Sequence, residues 1–200
     1  MVTDKQRIYG GIGTEIYDAV FDSKPNSDNP IHRKAGKNLR VVGDSNKCIG
    51  CSTCEIACII SHYKPGLEPV ARLKVVKTDE ISVPVMCRQC VDPDCAKACT
   101  QHAIYSNGIS VLVNPDKCIG CYDCTGACEY ASIHVHKSVE PLSFMGLELK
   151  NERAFAVKCD LCQHRVNGPS CVEVCPSGAL SVVESEKYEQ RENELFAQVR

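Results

Sequence analysis

Five short runs along the chain alternate or cluster β-branched and other apolar residues: Arg40 to Val42, Ala71 to Thr78, Ile109 to Val113, Ile133 to His136 and Ala154 to Lys158. Each is too short for a stable helix and predicts a strand. Asn107-Gly108, directly before the third run, is a hairpin signal. Runs this short predict small two-stranded sheets. Two other segments carry helical spacing. Thr14 is placed to cap a helix in which Ile16, Tyr17, Val20 and Phe21 recur at i, i+1, i+4 and i+5, giving one apolar face. Ser185 to Arg200 is rich in Glu, Lys, Arg and Gln and carries Tyr188, Leu195 and Val199 as a narrow apolar stripe. Asp22 to Lys37, with Pro25, Asn26, Asn29, Pro30 and Gly36, reads as an irregular arm. The chain thus divides into an arm over 1–38, a body over 39–183 and a terminal helix over 184–200. The apolar faces of arm and helix lie either on the body or on another subunit. Gly10-Gly11-Ile12-Gly13 lacks the framing strand and helix of a phosphate loop and reads as flexible.

Composition changes this picture at one point, the core. Sixteen cysteines make up 8% of 200 residues, and removing them from the 44% hydrophobic fraction leaves 36%, with eleven aromatics and no tryptophan. That core is thin, and something else must help fill it. A net charge of −2 and a pI of 6.3 argue against nucleic acid or an anionic membrane as partner. No stretch reaches the roughly 18 apolar residues of a membrane span. The polar, glycine-bearing Met1 to Gly11 lacks a signal-peptide core and a twin-arginine pair. The expected location is cytoplasmic, and in that reducing compartment the cysteines read as metal ligands before they read as a disulfide scaffold.

The cysteines fall in four groups of four: Cys48, Cys51, Cys54, Cys58; Cys87, Cys90, Cys95, Cys99; Cys118, Cys121, Cys124, Cys128; Cys159, Cys162, Cys171, Cys175. Every group begins Cys-x-x-Cys and ends Cys-x-x-x-Cys. Val41 to Cys58 matches Val111 to Cys128, 70 residues later, at nine of eighteen positions. Four of these matches are Val, Lys, Ile and Ala rather than Gly or Cys, which points to duplication of a folding unit. A zinc ribbon needs one Cys-x-x-Cys pair from each of two hairpins and has no use for four cysteines within eleven residues. An iron-sulfur cubane has. Three thiolates on a tight loop wrap one face of a cluster, while the fourth, expected at the start of the following helix, points toward a second cluster. The spacing predicts two-cluster modules with crossed fourth ligands and four [4Fe–4S] clusters in all, with structural zinc the competing reading.

These motifs, namely KCIGC at Lys47 to Cys51 and again at Lys117 to Cys121, Cys87 to Cys99, Ala156 to Cys162 and Gly168 to Leu180, resemble the bacterial two-[4Fe–4S] ferredoxins. In particular they resemble the four-cluster electron-transfer subunits found with formate dehydrogenases, hydrogenases and molybdenum or tungsten oxidoreductases. The likeness covers Leu39 to about Val183. It departs where a proline usually follows the last cysteine of a group: only Cys175 has one, Pro176, and Ile59, Thr100 and Glu129 stand elsewhere. The resemblance implies an α+β fold of two interleaved ferredoxin-like modules with short two-stranded sheets and small helices. The implied partners are a catalytic redox subunit and a second iron-sulfur or flavin subunit.

Two pairings of the groups respect crossed ligation: neighbours in sequence, or middle with middle and outer with outer. Cys99 to Cys118 spans 19 residues, about the interval of a compact two-cluster unit, against 29 and 31 for the other two intervals. The middle pair is therefore the better module, an inner one over 84–134 and an outer one over 39–60 with 154–183, and the resembling family pairs its groups the same way. The expected ligand sets are Cys48, Cys51, Cys54, Cys175; Cys58, Cys159, Cys162, Cys171; Cys87, Cys90, Cys95, Cys128; and Cys99, Cys118, Cys121, Cys124.

Little else carries chemistry. His134 and His136 share a strand face with no third ligand nearby in sequence, and with the isolated His32, His62, His102 and His164 they read as exposed. Lys47, Arg88, Lys117, Lys158 and Arg165 lie beside or near the cysteines, where they raise cluster potentials or balance charge. No Ser/His/Asp order, Walker motif, Gly-x-Gly-x-x-Gly or radical Cys-x-x-x-Cys-x-x-Cys occurs, and full sets of four thiolates leave no open iron. No catalytic residue is predicted. The expected role is a wire for single electrons between a catalytic subunit and a second redox partner, with a free diffusible polyferredoxin, an enzyme or a cluster-based sensor as weaker alternatives.

Overall fold

The computed structural model describes residues 38–63, 68–144, 147–188 and 190. The two ends of the body meet: β1 (Leu39–Gly43) runs antiparallel to β8 (Leu180–Glu184), with Leu39 opposite Glu184 and Gly43 opposite Leu180. Between them lie three hairpins. β2 (Leu73–Lys77) pairs with β3 (Ser82–Met86), β4 (Ile104–Ser106) with β5 (Val111–Val113), and β6 (His134–Phe144) with β7 (Leu147–Val157). Four helices carry or precede cysteines: α1 (Thr53–Tyr63), α2 (Asp94–Lys97), α3 (Asp123–Gly126) and α4 (Ser170–Glu173).

Local chemistry explains these elements. In β2, buried Leu73 and Val75 alternate with exposed Lys74 and Val76, the period of a strand with one covered face. The β4–β5 turn is closed by Asn107, whose Oδ1 accepts from the N–H groups of Ile109 at 3.0 Å and Ser110 at 2.8 Å, beside Gly108 at φ +84°. In α1 the buried residues Cys54, Cys58 and His62 recur every fourth position, one stripe facing inward.

Two cores result. Leu39, Val41, Leu73, Val75, Met86, Leu161 and Leu180 pack with Cys54, Cys58 and Cys171. Ala103, Ile104, Val111, Ile133 and Ala156 pack with Cys99 and Cys124. Cysteine sulfur is thus part of each core. The long intervals between cysteine groups are accounted for by hairpins: β2–β3 lies between Cys58 and Cys87, and β6–β7 between Cys128 and Cys159.

Several details differ from the sequence expectation. The third run forms a strand only from Val111, because Ile109 and Ser110 close the turn. The last two runs grow into eleven-residue strands, since backbone pairing continues past the apolar residues. β3 and β8 fall outside the predicted runs, and β4 is marked only by the hairpin signal that follows it; Pro84 in β3 argues against a strand yet is tolerated where the sheet has only two strands. The fourth cysteine of a group does not begin a following helix. The helix starts at or next to the third cysteine, and the fourth follows one turn later, inside α1 for Cys58 and just past the helix for Cys99, Cys128 and Cys175. Ile59, unlike the Pro176 that follows Cys175, does not break a helix, and α1 runs on to Tyr63. The terminal segment is helical at Ser185–Tyr188, where the Arg40 guanidinium sits 4.2 Å from the Tyr188 ring centre. Leu195 and Val199 lie outside the described residues, as do His32, the Thr14 to Phe21 segment and Gly10 to Gly13.

Candidate metal centres

All four Cys-x-x-Cys loops share one backbone device. The residue before the second cysteine is left-handed in each: Gly50 at φ +68°, Gln89 at +52°, Gly120 at +69° and Leu161 at +58°. Glycine adopts this conformation freely, whereas Gln89 and Leu161 hold it at a cost of about 1–3 kcal/mol each. A second shared feature follows the groups: His102, Ala131 and Gly178, each three residues past a fourth cysteine, are also left-handed. The loops leave little room. A Cβ at Gly120 would stand 2.6 Å from the Ala154 Cβ.

The structure gathers the cysteines from distant parts of the chain. One pocket is lined by Cys48, Cys51, Cys54 and Cys175, with Ile49, Pro84 and Pro176 at its walls. Another is lined by Cys99, Cys118, Cys121 and Cys124, with Ile119 and Tyr122. The remaining thiols lie close enough to oppose one another's ionisation: Cys87 and Cys128 act on Cys95, Cys171 acts on Cys159, and Cys58 acts on both Cys162 and Cys171. Cys90 is half-buried, its carbonyl accepting from Asn38 Nδ2 at 2.9 Å.

Electrostatics at these thiols supply a test of what they suit. Burial pushes Cys54, Cys124 and Cys162 up to about 11, and raises Cys95, Cys159 and Cys171 as well. At Cys175 burial is outweighed by hydrogen bonds from Ser177 and the following N–H groups, and at Cys51 a hydrogen bond from Thr53 dominates, so both are lowered. Five sulfurs accept backbone N–H groups: Cys58 from Arg72 at 3.3 Å, Cys87 from Gln89 at 3.4 Å, Cys99 from Ala103 at 3.3 Å, Cys118 from Ala156 at 3.2 Å and Cys175 from Ala179 at 3.3 Å. N–H donors aimed at sulfur favour the thiolate, while burial without a cation favours the thiol. A thiolate-bound metal resolves that conflict, so the donor set fits an iron-sulfur centre.

The histidines require a correction. His62 and His164 were expected to be isolated and exposed, but His62 is fully buried on the last turn of α1. Its Nδ1 donates to the Cys58 carbonyl at 2.6 Å and its Nε2 to Asp160 at 3.2 Å, 98 positions away. His164 Nε2 donates to the Ser61 carbonyl at 3.0 Å, with its ring edge-on to His62 at 4.8 Å. Arg72 Nε lies 3.9 Å from Asp160, and Asp160 also accepts the Cys162 N–H at 2.9 Å. Burial disfavours charge on His62, but Asp160 outweighs it and raises the group to about 9. Burial would raise Asp160, yet Arg72 and His62 hold it well below the usual carboxylate range. Burial takes His164 down to about 4. His62, Asp160 and His164 offer three ligand atoms within 4.8 Å, but each of these side chains is already engaged in hydrogen bonds and Arg72 adds positive charge. The network is a brace that ties α1 to the Cys159–Cys162 loop. The chain packs these residues from far apart, so only the fold reveals it. Of the others, His102 and His134 are exposed as expected, and His136 is half-buried with Nε2 3.0 Å from Glu68.

Residues 78–185 match the family described as 4Fe-4S dicluster domain. The chain is similar to the electron transport protein HydN of Escherichia coli K12, 41% identical over 163 residues, covering 76% of this chain and 92% of that one. It is also similar to formate hydrogenlyase subunit 2 of the same organism, 34% identical over 169 residues, covering 74% and 83%. No helix among the described residues is long and apolar enough to cross a membrane.

Proposed function

The chain belongs to the 4Fe-4S dicluster domain family, and from that membership we propose that it relays single electrons through four [4Fe–4S] centres between a catalytic redox subunit and a second redox partner. A bound cubane supplies reversible one-electron chemistry. The ligand sets proposed are the four already named, with crossed fourth cysteines, in an outer module over 39–60 with 154–183 and an inner one over 84–134. The observation that carries the reading is the pair of four-cysteine cavities, each with an exposed cysteine beside an exposed isoleucine: Cys51 with Ile49, 66% accessible, and Cys121 with Ile119, 63% accessible. Two such openings suit a conductor contacted at two places.

In this reading the chain's own residues bind, orient and exclude. The left-handed loops aim the cysteines inward, the five N–H···S contacts stabilise thiolate charge, and the buried apolar residues keep water from the inner sulfurs. The similarity to HydN and to a formate hydrogenlyase subunit supports a formate dehydrogenase, hydrogenase or tungsten/molybdenum enzyme as the catalytic partner, in the cytoplasm. A free polyferredoxin is the second reading; co-purification with a larger complex would decide against it. Anaerobically purified protein is expected to contain about sixteen iron and about sixteen acid-labile sulfide per chain and to bleach with dithionite. Two to four zinc ions without sulfide would sink the proposal.

The brace gives a further expectation. Asp160→Asn removes the charge that holds His62 and weakens the cap on the Cys162 N–H, so iron at the Cys58, Cys159, Cys162 and Cys171 set should be lost to a chelator about 10- to 100-fold faster, as outer-shell changes commonly do. About a quarter of the iron should leave in this fast phase. Release indistinguishable from the unmodified protein would show that the brace does not support that set.

A further inference from the structure

Lys158 stands between the two modules and is only 3% accessible. Its Nζ donates to the carbonyl oxygens of Cys159, at 2.9 Å, and Val111, and lies 3.4 Å from Gln89 Oε1. Gln89 fixes this joint from the other side: its Oε1 accepts the Val111 N–H at 2.7 Å and its Nε2 donates to the Cys159 carbonyl at 2.6 Å. All three acceptors around the ammonium are neutral, and among the described residues no carboxylate pairs with it. A buried charge in such a place is strongly unfavourable unless opposite charge lies near.

Opposite charge is available on both sides. On one side the Lys158 ammonium donates to the Cys159 carbonyl; on the other it meets Gln89, which stands between Cys87 and Cys90 and aims its N–H at the Cys87 sulfur at 3.4 Å. Gln89 itself spans the joint, from the Cys87 sulfur to the Cys159 carbonyl. Both of the sets that contain these cysteines would carry net negative charge when loaded with metal and thiolate.

We infer that Lys158 is the shared counter-cation of the two centres that meet at the module joint, held by Cys87, Cys90, Cys95, Cys128 and by Cys58, Cys159, Cys162, Cys171, and that its charge makes both easier to reduce. The inference rests on the four-centre reading above. One electron crosses the joint at a time: the giving centre is oxidised by one unit, the receiving centre is reduced by one, and no bond or proton changes. Gln89 is the positioning residue that holds the ammonium between them.

The test is a redox titration followed by electron paramagnetic resonance on the full chain, with iron measured on each sample. The unmodified protein comes first, since fewer than four centres there would sink the four-centre reading before any variant is examined. Lys158→Gln should lower the midpoint potentials of two of the four centres, shifting their reduced-to-oxidised ratio about tenfold, which is ~59 mV for a one-electron couple. The other two should hold, and Lys158→Arg should stay near the unmodified values. Gln89→Glu, which sets a carboxylate against the ammonium, should lower the same two. Full iron with four unchanged potentials, or an equal shift of all four, overturns the inference. If Lys158→Gln loses iron, Gln89→Glu is decisive, and unchanged potentials there overturn it. Iron lost in both neutralised variants but kept in Lys158→Arg supports the counter-cation, whereas loss in all three makes Lys158 a packing residue and overturns it.

Discussion

Stripping the iron and sulfide from this protein is expected to unfold it, not to leave a stable apoprotein. Each of the two cores is closed by cysteine sulfur, Cys54, Cys58 and Cys171 in one and Cys99 and Cys124 in the other. The apolar residues that remain are few, with no tryptophan to add bulk. Without a metal, the four sulfurs gathered in each pocket would be left facing one another and water. The total stability of an ordinary domain is only about 5–15 kcal/mol, a margin that the loss of the ligand bonds can exceed. The left-handed Gln89 and Leu161 add strain that only a loaded loop compensates. Metal binding free energy is then largely folding free energy. Far-UV circular dichroism and protease resistance after acid treatment with a chelator would check this. An apoprotein with native dichroism and protected Val41 and Val182 amides would show that the β1–β8 sheet and its core stand without iron.

What could be read in the sequence depended on how local each feature was. The cysteine groups and the KCIGC repeat lie within eighteen residues, so they announce themselves. Gly50 and Gly120 hint at the left-handed loop position, but Gln89 and Leu161 occupy the same conformation without a glycine to mark it. The brace of His62, Arg72, Asp160 and His164 joins residues up to about a hundred positions apart, and nothing in the flanks of either histidine predicts burial. In the sequence Lys158 is only a charge beside a ligand; its burial arises because the Val111 and Cys159 carbonyls and Gln89 converge on it. The hairpin at Asn107-Gly108 was legible from its turn chemistry, while β3 was hidden by Pro84. Features written by turn residues and ligand spacing were therefore visible, and those created by long-range packing were not.

Cys175→Ser is expected to damage the same centre as Cys48→Ser, although the two lie 127 positions apart. The β1–β8 pairing brings their segments together, with Gly43 opposite Leu180 and the Asp44 N–H donating to the Ala179 carbonyl at 2.8 Å. From there Cys48, Cys51 and Cys54 follow on one side and Cys175 on the other, and all four line a single cavity. Cys175 also carries a lowered thiol and accepts the Ala179 N–H, so its surroundings favour the thiolate more than a free thiol's do. Each variant should lose or convert one cubane, about four of sixteen irons, and the double variant should lose no more than either alone. Cys90→Ser should instead remove a different signal and add to the loss from Cys48→Ser. Electron paramagnetic resonance and Mössbauer spectra of the reduced variants would separate these cases. Different signals lost by Cys175→Ser and Cys48→Ser, with Cys90→Ser matching Cys48→Ser, would mean that neighbouring groups share centres and that the outer and inner modules are wrongly drawn.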